Sequence, residues 1–388
     1  MKQAMSSTTT QTVAVIGAGV IGLSCALKLQ SLLSQQDHPA VEVLLVSREW
    51  PTSIPGAPPT HTADYASMWA GAHVRPIPGT TPQLRREARW LKRTVAEFAR
   101  QLEAEPWVGI TRCQGVEFLD APSPAYTRQT AASFEEESGI RGYRVLGRDE
   151  VPDGVELGFE YPSFCLNAPL YCANLLRRFL ARGGRTLQRD LRSEWEVFSL
   201  RPQVKFVVNA SGTGFGDTKC FPTRGQTVIT NFTQATKTVT KHNRDGSFSF
   251  IIPRFFQGGT IMGGTKEPGN WRTDIVPATR QRMIRGGQSL APYAVEEGAG
   301  SATTKAADGE LQVIADVVGR RPTRDGGMRI QVEEEQLTGT DGELRTGHVL
   351  HAYGAGGRGY EISWGIAEEV AEIAASLLPS LLETRSKL

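Results

Sequence analysis

Three glycines, Gly17, Gly19 and Gly22, form G-x-G-x-x-G inside VAVIGAGVIGLSCALKL, residues 13–29. The chemistry of such a turn is backbone chemistry. Gly17 permits a tight turn and Gly19 lets the main chain approach a pyrophosphate. Gly22 lets a helix pack closely on the strand before it. The apolar Val13, Val15 and Ile16 predict that strand, and the helical spacing of 23–29 predicts the helix, its N-terminus facing the phosphates. Gly17, Ala18, Gly19, Val20, Ile21 and Gly22 are therefore the first candidate cofactor-binding residues. The run VEVLLV at 41–46 predicts a second buried strand, ending in Ser47, Arg48 and Glu49. An acid near this point commonly holds ribose hydroxyls. Glu49 is the candidate, but it falls beyond the usual spacing of about 20 residues after the glycines. A solvated loop glutamate is the alternative reading.

These groups need elements to position them. A second strand and small-residue turn, FVVNASG at 206–212, brings Ser211 and Gly212 towards the same nucleotide. A third unit lies near the C-terminus. A strand at 349–353 runs into Gly354, Gly356, Gly357 and Gly359, and a helix is expected over 362–378. The order implies a discontinuous α/β nucleotide-binding domain. The pattern at 224–265 reads as antiparallel strands, as does 315–318, and these would form a mostly antiparallel α+β domain laid against the cofactor. Residues 106–160 read as short strands and turns. Amphipathic helices are expected over 84–102 and 167–181, the second ended by Gly183-Gly184. The Pro-rich 51–59 must be loop. Ser67, Met68, Ala70 and Gly71 lie in a stretch whose small residues would let the backbone pass close to a flat ring.

Composition narrows the class. A chain of 388 residues suggests about two domains. A net charge of +2 argues against a nucleic-acid binder, and no apolar run reaches membrane-spanning length. The polar N-terminus shows no secretory signal. Cys25, Cys113, Cys165, Cys172 and Cys220 are odd in number and scattered, so neither a disulfide framework nor a zinc site is expected, and the thiols read as reduced in an intracellular compartment. The six histidines lack ligand spacing, so no metal is expected. The terminal Ser386-Lys387-Leu388 reads as an address for the peroxisomal import receptor, placing the protein in the peroxisome matrix. The sequence leaves the oligomeric state open, a homo-oligomer included.

The stretch VLHAYGAGGRG at 349–359, continuing to Trp364-Gly365-Ile366-Ala367, resembles the signature of the D-amino-acid oxidases, a family that includes the D-aspartate oxidases. GAGVIGL, the 67–72 loop, Pro222-x-Arg224-Gly225-Gln226, FIIPR at 250–254, Gly263-Gly264-Thr265 and Arg321-Pro322 match in order, so the resemblance spans almost the whole chain. It implies a Rossmann-like FAD-binding domain over 1–60, 160–222 and 340–388, and a substrate-binding domain over 61–159 and 223–339. It implies FAD, and oxidation of a D-amino acid by hydride transfer to the flavin. Oxygen then yields hydrogen peroxide, and the imine hydrolyses to a 2-oxo acid and ammonia. No acid or base residue need be catalytic, because such a reaction depends on orientation.

By the same resemblance, Arg321 is the carboxylate anchor and Gly357 offers its carbonyl to the substrate amine. Gly356, Gly357, Arg358, Gly359, Tyr360 and Glu361 face the flavin. Arg358 departs in type from many relatives and is expected at the FAD phosphates, at an acid on the surface or, as the lesser alternative, at the substrate. Phe250 stands where relatives often have a tyrosine, so aromatic shape is kept without the hydroxyl. Tyr353 can contribute a phenol or pack under the loop. His73 and Arg75, just past the small-residue loop, are candidates for the second carboxylate of D-aspartate. The alternative is a neutral packed histidine and an arginine in a surface ion pair. D-Aspartate is the favoured substrate, neutral D-amino acids the runner-up, and another amine-oxidising flavoenzyme on this scaffold the third reading.

Overall fold

A computed structural model describes residues 11–35, 41–52, 61–201, 203–296, 311–338 and 342–382. The terminal Ser386-Lys387-Leu388 and most of the Pro-rich 51–59 loop lie outside the described residues.

Strand Gln11–Ile16 sits inside a six-stranded sheet. The order is Arg329–Thr338, Leu344–Tyr353, Val204–Asn209, Gln11–Ile16, Val41–Ser47 and Arg185–Gln188. Neighbours are parallel except Arg329–Thr338, which runs antiparallel at the edge. The continuous apolar runs follow from burial of both faces. Val13 and Val15 pack under helices, while Ala14 and Ile16 face a second cluster containing Val197 and Phe198. Helices Val20–Gln35, Pro82–Ala104, Ala168–Ala181 and Gly359–Leu382 cover the first face. Thr81 caps the second by accepting from the Leu84 N–H, and Asn167 caps the third by accepting from Leu170.

The second sheet has nine strands. Its path is Glu267–Pro268, Cys220–Thr230, Thr260–Gly263, Phe248–Pro253, Lys237–His242, Ile110–Leu119, Leu157–Leu166 and Arg144–Val145, with Val313–Arg324 also paired to Cys220–Thr230. All pairings are antiparallel except Ile110–Leu119 with Lys237–His242.

The division of the chain differs from the sequence expectation at two places. Leu157–Leu166 belongs whole to the second sheet, so a boundary at 160 would cut a strand. Arg329–Thr338 belongs to the first sheet, so the return to it precedes 340. The stretch 106–160 also holds two long paired strands and the helix Ala131–Ser138, not only short strands and turns. Helix Pro277–Leu290, absent from the sequence reading, buries Met283, Gly287 and Leu290.

Gly365 shows how tightly the helical layer packs. A Cβ there would lie 2.3 Å from the Cα and carbonyl oxygen of Trp90. The Gly365 N–H donates to Thr94 Oγ1 at 3.0 Å, and the neighbouring Trp364 indole donates to Tyr171 at 2.7 Å. Alanine would gain about 1 kcal/mol of helix propensity. Overpacking against a backbone costs typically 1–3 kcal/mol. The clash is with main chain, which cannot turn aside, so it wins. Gly365→Ala is expected to lower the thermal unfolding midpoint; an unchanged or raised midpoint in scanning calorimetry would contradict this packing.

Candidate active site

The nucleotide end of the site is built from backbone atoms that leave no room for side chains. Gly17 has φ +97°, and a Cβ on it would sit 2.5 Å from the Ala210 carbonyl oxygen. A Cβ on Gly22 would lie 1.9 Å from the Gly17 oxygen. Strand, turn and helix therefore close on one another only with glycine at both positions. Hydroxyls tie the surrounding loops together. Ser47 accepts from the Ala18 N–H at 3.2 Å and donates to the Glu49 carbonyl at 2.7 Å. Ser67 accepts from the Val20 N–H at 3.0 Å, and Tyr65 donates to the Ala18 carbonyl at 2.7 Å. Tyr360 donates to the Ser67 carbonyl at 2.8 Å. The Gly354 N–H reaches the Gly212 carbonyl at 2.9 Å. The Ser211 hydroxyl is buried without a partner. Open glycine backbone at a helix N-terminus and an orphaned buried hydroxyl beside it fit a bound pyrophosphate.

Glu49 lies at this end too. Its carboxylate accepts from the Thr62 N–H at 2.8 Å and the Thr62 hydroxyl at 2.6 Å. Burial raises its pKa, but those bonds, with Arg48 and His61 nearby, carry it below the usual value. An ionised carboxylate with spare lone pairs remains for ribose hydroxyls.

A second group of candidate residues centres on Arg321. Strand Val313–Arg324 sets Arg321 opposite Thr223. The guanidinium lies against Gly225, where a Cβ would come within 2.5 Å of both terminal nitrogens. One of them donates to the Thr265 carbonyl at 3.1 Å and weakly to that of Arg224 at 3.4 Å. Among the described residues no carboxylate forms an ion pair with Arg321. Glu267, the acid that influences it, pairs with Arg224 at 3.1 Å. Burial pushes the Arg321 pKa down, the expected sign for a cation lacking a partner. Gly357 is adjacent: a Cβ on it would be 3.3 Å from Arg321 Cδ. Phe250 pairs with Gly263, and its ring covers Gly263 and Gly264 next to Thr265. The fold thus gathers a free guanidinium, a glycine loop and an aromatic wall.

Other candidates are placed differently. The Tyr353 hydroxyl donates to Asp217 at 3.0 Å and accepts from Arg329 at 3.2 Å. It lines a separate cavity of about 570 Å³ with Glu194, Asp217, Arg324 and Glu333. Its expected substrate role is therefore corrected, because the phenol is committed to a polar network. Arg358 is bound by acids, donating to Glu87 at 2.8 Å and Glu361 at 2.6 Å. Glu361 also accepts from the Arg75 N–H at 2.9 Å. Both residues hold the loop by ion pairing.

His73 donates from Nδ1 to Thr238 at 2.7 Å, since the Thr238 hydroxyl is itself spent on the Ile251 carbonyl at 3.2 Å. Burial, with Arg75 beside it, pushes the His73 pKa down to about 4. A neutral ring using its one N–H in this way presents only a lone pair elsewhere, which cannot donate to a carboxylate. Without substrate, the His73 ring therefore offers a carboxylate no donor, as in the alternative of a neutral packed histidine. Arg75 is paired with Glu117 at 3.8 Å, too long for a direct hydrogen bond, and lies over Phe248.

One residue was missed by sequence reasoning. Arg254 is 6% exposed, and its Nε has no partner. It donates to the Ala70 carbonyl at 3.2 Å, behind the small-residue loop, and burial pushes its pKa down to about 10. The available signal was an arginine ending an apolar strand, FIIPR. Among the described residues no cluster suited to a metal ion occurs, and no helix is long and apolar enough to cross a membrane.

Residues 12–373 match the model of the family described as FAD dependent oxidoreductase. The chain belongs to that family. It is 41% identical to a D-aspartate oxidase of Talaromyces thermophilus over 382 residues, covering 96% of this chain and 97% of the relative. A D-amino-acid oxidase of Fusarium vanettenii is 30% identical over 93% of this chain and 96% of its own. Glycine oxidase from Bacillus cereus shares the fold, with TM-score 0.61 at 15% identity, covering 97% and 100% of the two chains. L-Proline dehydrogenase from P. horikoshii does likewise, with TM-score 0.65 at 16% identity, covering 95% and 94%. The chain is an FAD-dependent oxidoreductase with a mixed α/β fold.

The His73 placement has a consequence in acid. Its folded pKa lies below the unfolded value near 6.5, so below that pH the unfolded state binds more protons. Stability should fall as pH drops from about 6.5 towards 4. Denaturant titrations of His73→Gln, which can keep the Thr238 bond, should show that slope reduced by about one proton. An identical slope in both proteins would place the His73 charge elsewhere.

Proposed function

We propose that this enzyme oxidatively deaminates D-amino acids to 2-oxo acids, ammonia and hydrogen peroxide, with D-aspartate preferred. The observation that carries the reading is Arg321, a half-buried guanidinium with open donors and no paired carboxylate among the described residues. A bidentate pair with a substrate carboxylate supplies what the fold withholds. Gly17–Gly22, Ser47, Glu49, Ser67, Ser211 and Gly354–Gly359 would hold the FAD. FAD held there would supply the acceptor for a hydride from the substrate Cα and, once reduced, two electrons for oxygen. The chain's own part is orientation. Arg321 fixes the carboxylate, the Gly357 carbonyl accepts the amine, and Phe250 closes one wall against water.

The preference for an acidic side chain is supported by the greater similarity to the D-aspartate oxidase than to the D-amino-acid oxidase, 41% against 30%. Arg75 is the residue suited to a second carboxylate. It lies beside Phe248, which is two residues from Phe250 and so on the same sheet face. Its ion pair with Glu117 is long, while Glu117 gives its better bond to His242 at 2.7 Å. The apolar Phe250 and neutral His73 favour the second reading, a preference for neutral D-amino acids.

Peroxide production from D-aspartate, D-alanine, D-valine and D-methionine separates the two. Negligible turnover of D-aspartate beside fast turnover of the others would refute the acidic preference. Arg75→Met should raise KM for D-aspartate and leave that for D-alanine nearly unchanged. Arg321→Met should lower kcat/KM for every substrate by roughly 100- to 1000-fold, the loss of a doubly bonded charged contact. FAD content should stay full. Unaltered kcat/KM would remove Arg321 from the anchor role.

A further inference from the structure

Cys113 and Cys165 are 52 positions apart in the sequence, yet their sulfurs lie 3.2 Å apart. The antiparallel pairing of Ile110–Leu119 with Leu157–Leu166 sets Thr111 opposite Cys165 and Cys113 opposite Ser163. The two thiols are therefore diagonal neighbours on one sheet face, and both are free. Their surroundings differ. Cys165 is fully buried, and burial together with the Cys113 contact keeps its thiol protonated. Cys113 is partly exposed and lines a cavity of about 430 Å³ with Lys92, Arg112, Arg141 and Phe164. Cys113 is thus the more accessible of the two residues, and Cys165 the enclosed one.

The pair also sits beneath the small-residue loop. The Leu166 N–H donates to the Ala72 carbonyl at 2.8 Å, and the Val74 N–H to the Phe164 carbonyl at 2.9 Å. His73 bridges Cys165 through the backbone. The Cys165 side chain packs with Ile252 and Ile261, the same two residues that a Cβ on Gly71 would meet at 3.0 and 3.4 Å. A change at Cys165 is thus one contact from Gly71.

We propose that Cys113 and Cys165 are a peroxide-responsive dithiol that closes to a disulfide and shifts the 70–73 loop. The source of oxidant rests on the oxidase reading above, because hydrogen peroxide is that reaction's product. The Cys113 sulfur attacks one peroxide oxygen and the O–O bond breaks. The departing hydroxide takes the thiol proton and leaves as water, giving a sulfenic acid at Cys113. The Cys165 sulfur then attacks the Cys113 sulfur and the S–O bond breaks. The hydroxide leaves with the Cys165 proton as a second water. Two electrons pass from the two sulfurs to peroxide, and no further reactant is needed. Closure draws the sulfurs from 3.2 Å to about 2.05 Å, pulling the Cys165 side chain away from Ile252 and Ile261.

The test uses purified holoenzyme and reagent hydrogen peroxide, so it does not depend on the substrate assignment. After peroxide, denaturation and alkylation, the number of alkylatable thiols should fall from five to three. Peptide mass spectrometry should find the peptides of Cys113 and Cys165 joined, with two hydrogens lost, and dithiothreitol should reverse this. Cys113→Ser should keep its remaining thiols alkylatable, whereas Cys165→Ser should trap a sulfenic acid at Cys113. Persistence of both free thiols in peroxide-treated wild type would overturn the proposal. The release rate of FAD, followed by flavin fluorescence, should change on oxidation of wild type and not of Cys113→Ser. A disulfide that leaves that rate unaltered would overturn the link to the loop. Closure with reagent peroxide but not during D-amino-acid turnover would support the dithiol and count against the oxidase reading.

Discussion

The molecule depends on a contact from which side chains are excluded. Where strand Gln11–Ile16 becomes helix Val20–Gln35, the Gly17 backbone lies against the Ala210 carbonyl and against Gly22. That contact joins Val204–Asn209 to the first strand and holds the helix end at the sheet edge. Ser67 and Tyr360 then hang from it through two hydrogen bonds, although they stand 47 and 340 positions away from Val20 in the chain. The nucleotide site exists because these backbones approach closely, and they do so only where Cβ atoms are missing.

The second organising principle is the distribution of buried arginines. Arg224 is 1% exposed, and its donors are met by Glu267, Gln226 and the carbonyls of Arg272 and Asp274. Arg358 is met by Glu87 and Glu361. Arg321 and Arg254 have only carbonyls. Desolvating a guanidinium without a counter-charge costs several kcal/mol, and that cost falls on these two. At Arg321 that cost is carried beside the glycine loop, where an anion from outside would offset it. Acid-paired and acid-free arginines are thereby told apart by their partners, although in sequence Arg321 and Arg358 look alike.

That distinction also marks how far the sequence could be read. The glycine turns were legible because a backbone motif needs only its neighbours, and the helices at Pro82–Ala104 and Ala168–Ala181 because their apolar faces are periodic. Pro277–Leu290 was not, since three arginines and a Gly-Gly pair break its pattern and only Met283, Gly287 and Leu290 reach the core. Arg329–Thr338 was hidden by the charge expected of an exposed edge strand. Site errors had a different cause. Tyr353 faces the Asp217 cavity with His351, and that choice of face is made by packing of the sheet. Glu87 reaches Arg358 from 271 positions away. The depressed titration of His73 comes from burial and Arg75, while its hydrogen bond to Thr238 crosses 165 positions. Long-range partners decide what a polar residue can do, and no local pattern reports them.

Strand Val313–Arg324 would hold the proposed substrate anchor in place relative to the cofactor. It belongs to the second sheet, yet its end is bonded to the first. Pro322 lies opposite Pro222, so neither offers an N–H to the ladder at that step. The Pro322 carbonyl instead accepts from the Gly356 N–H at 2.8 Å, and Thr323 bridges Ala355. Upstream, the Arg320 N–H donates to the Ala63 carbonyl at 2.8 Å, and Gly319 leaves room for the Trp69 side chain. The glycine loop and the small-residue loop are therefore fastened to residues on either side of Arg321. A hydride transfer needs a fixed distance and angle more than it needs an acid or a base. A strand that carries the carboxylate anchor and is pinned on both flanks to loops lining the cofactor site meets that need without a catalytic side chain.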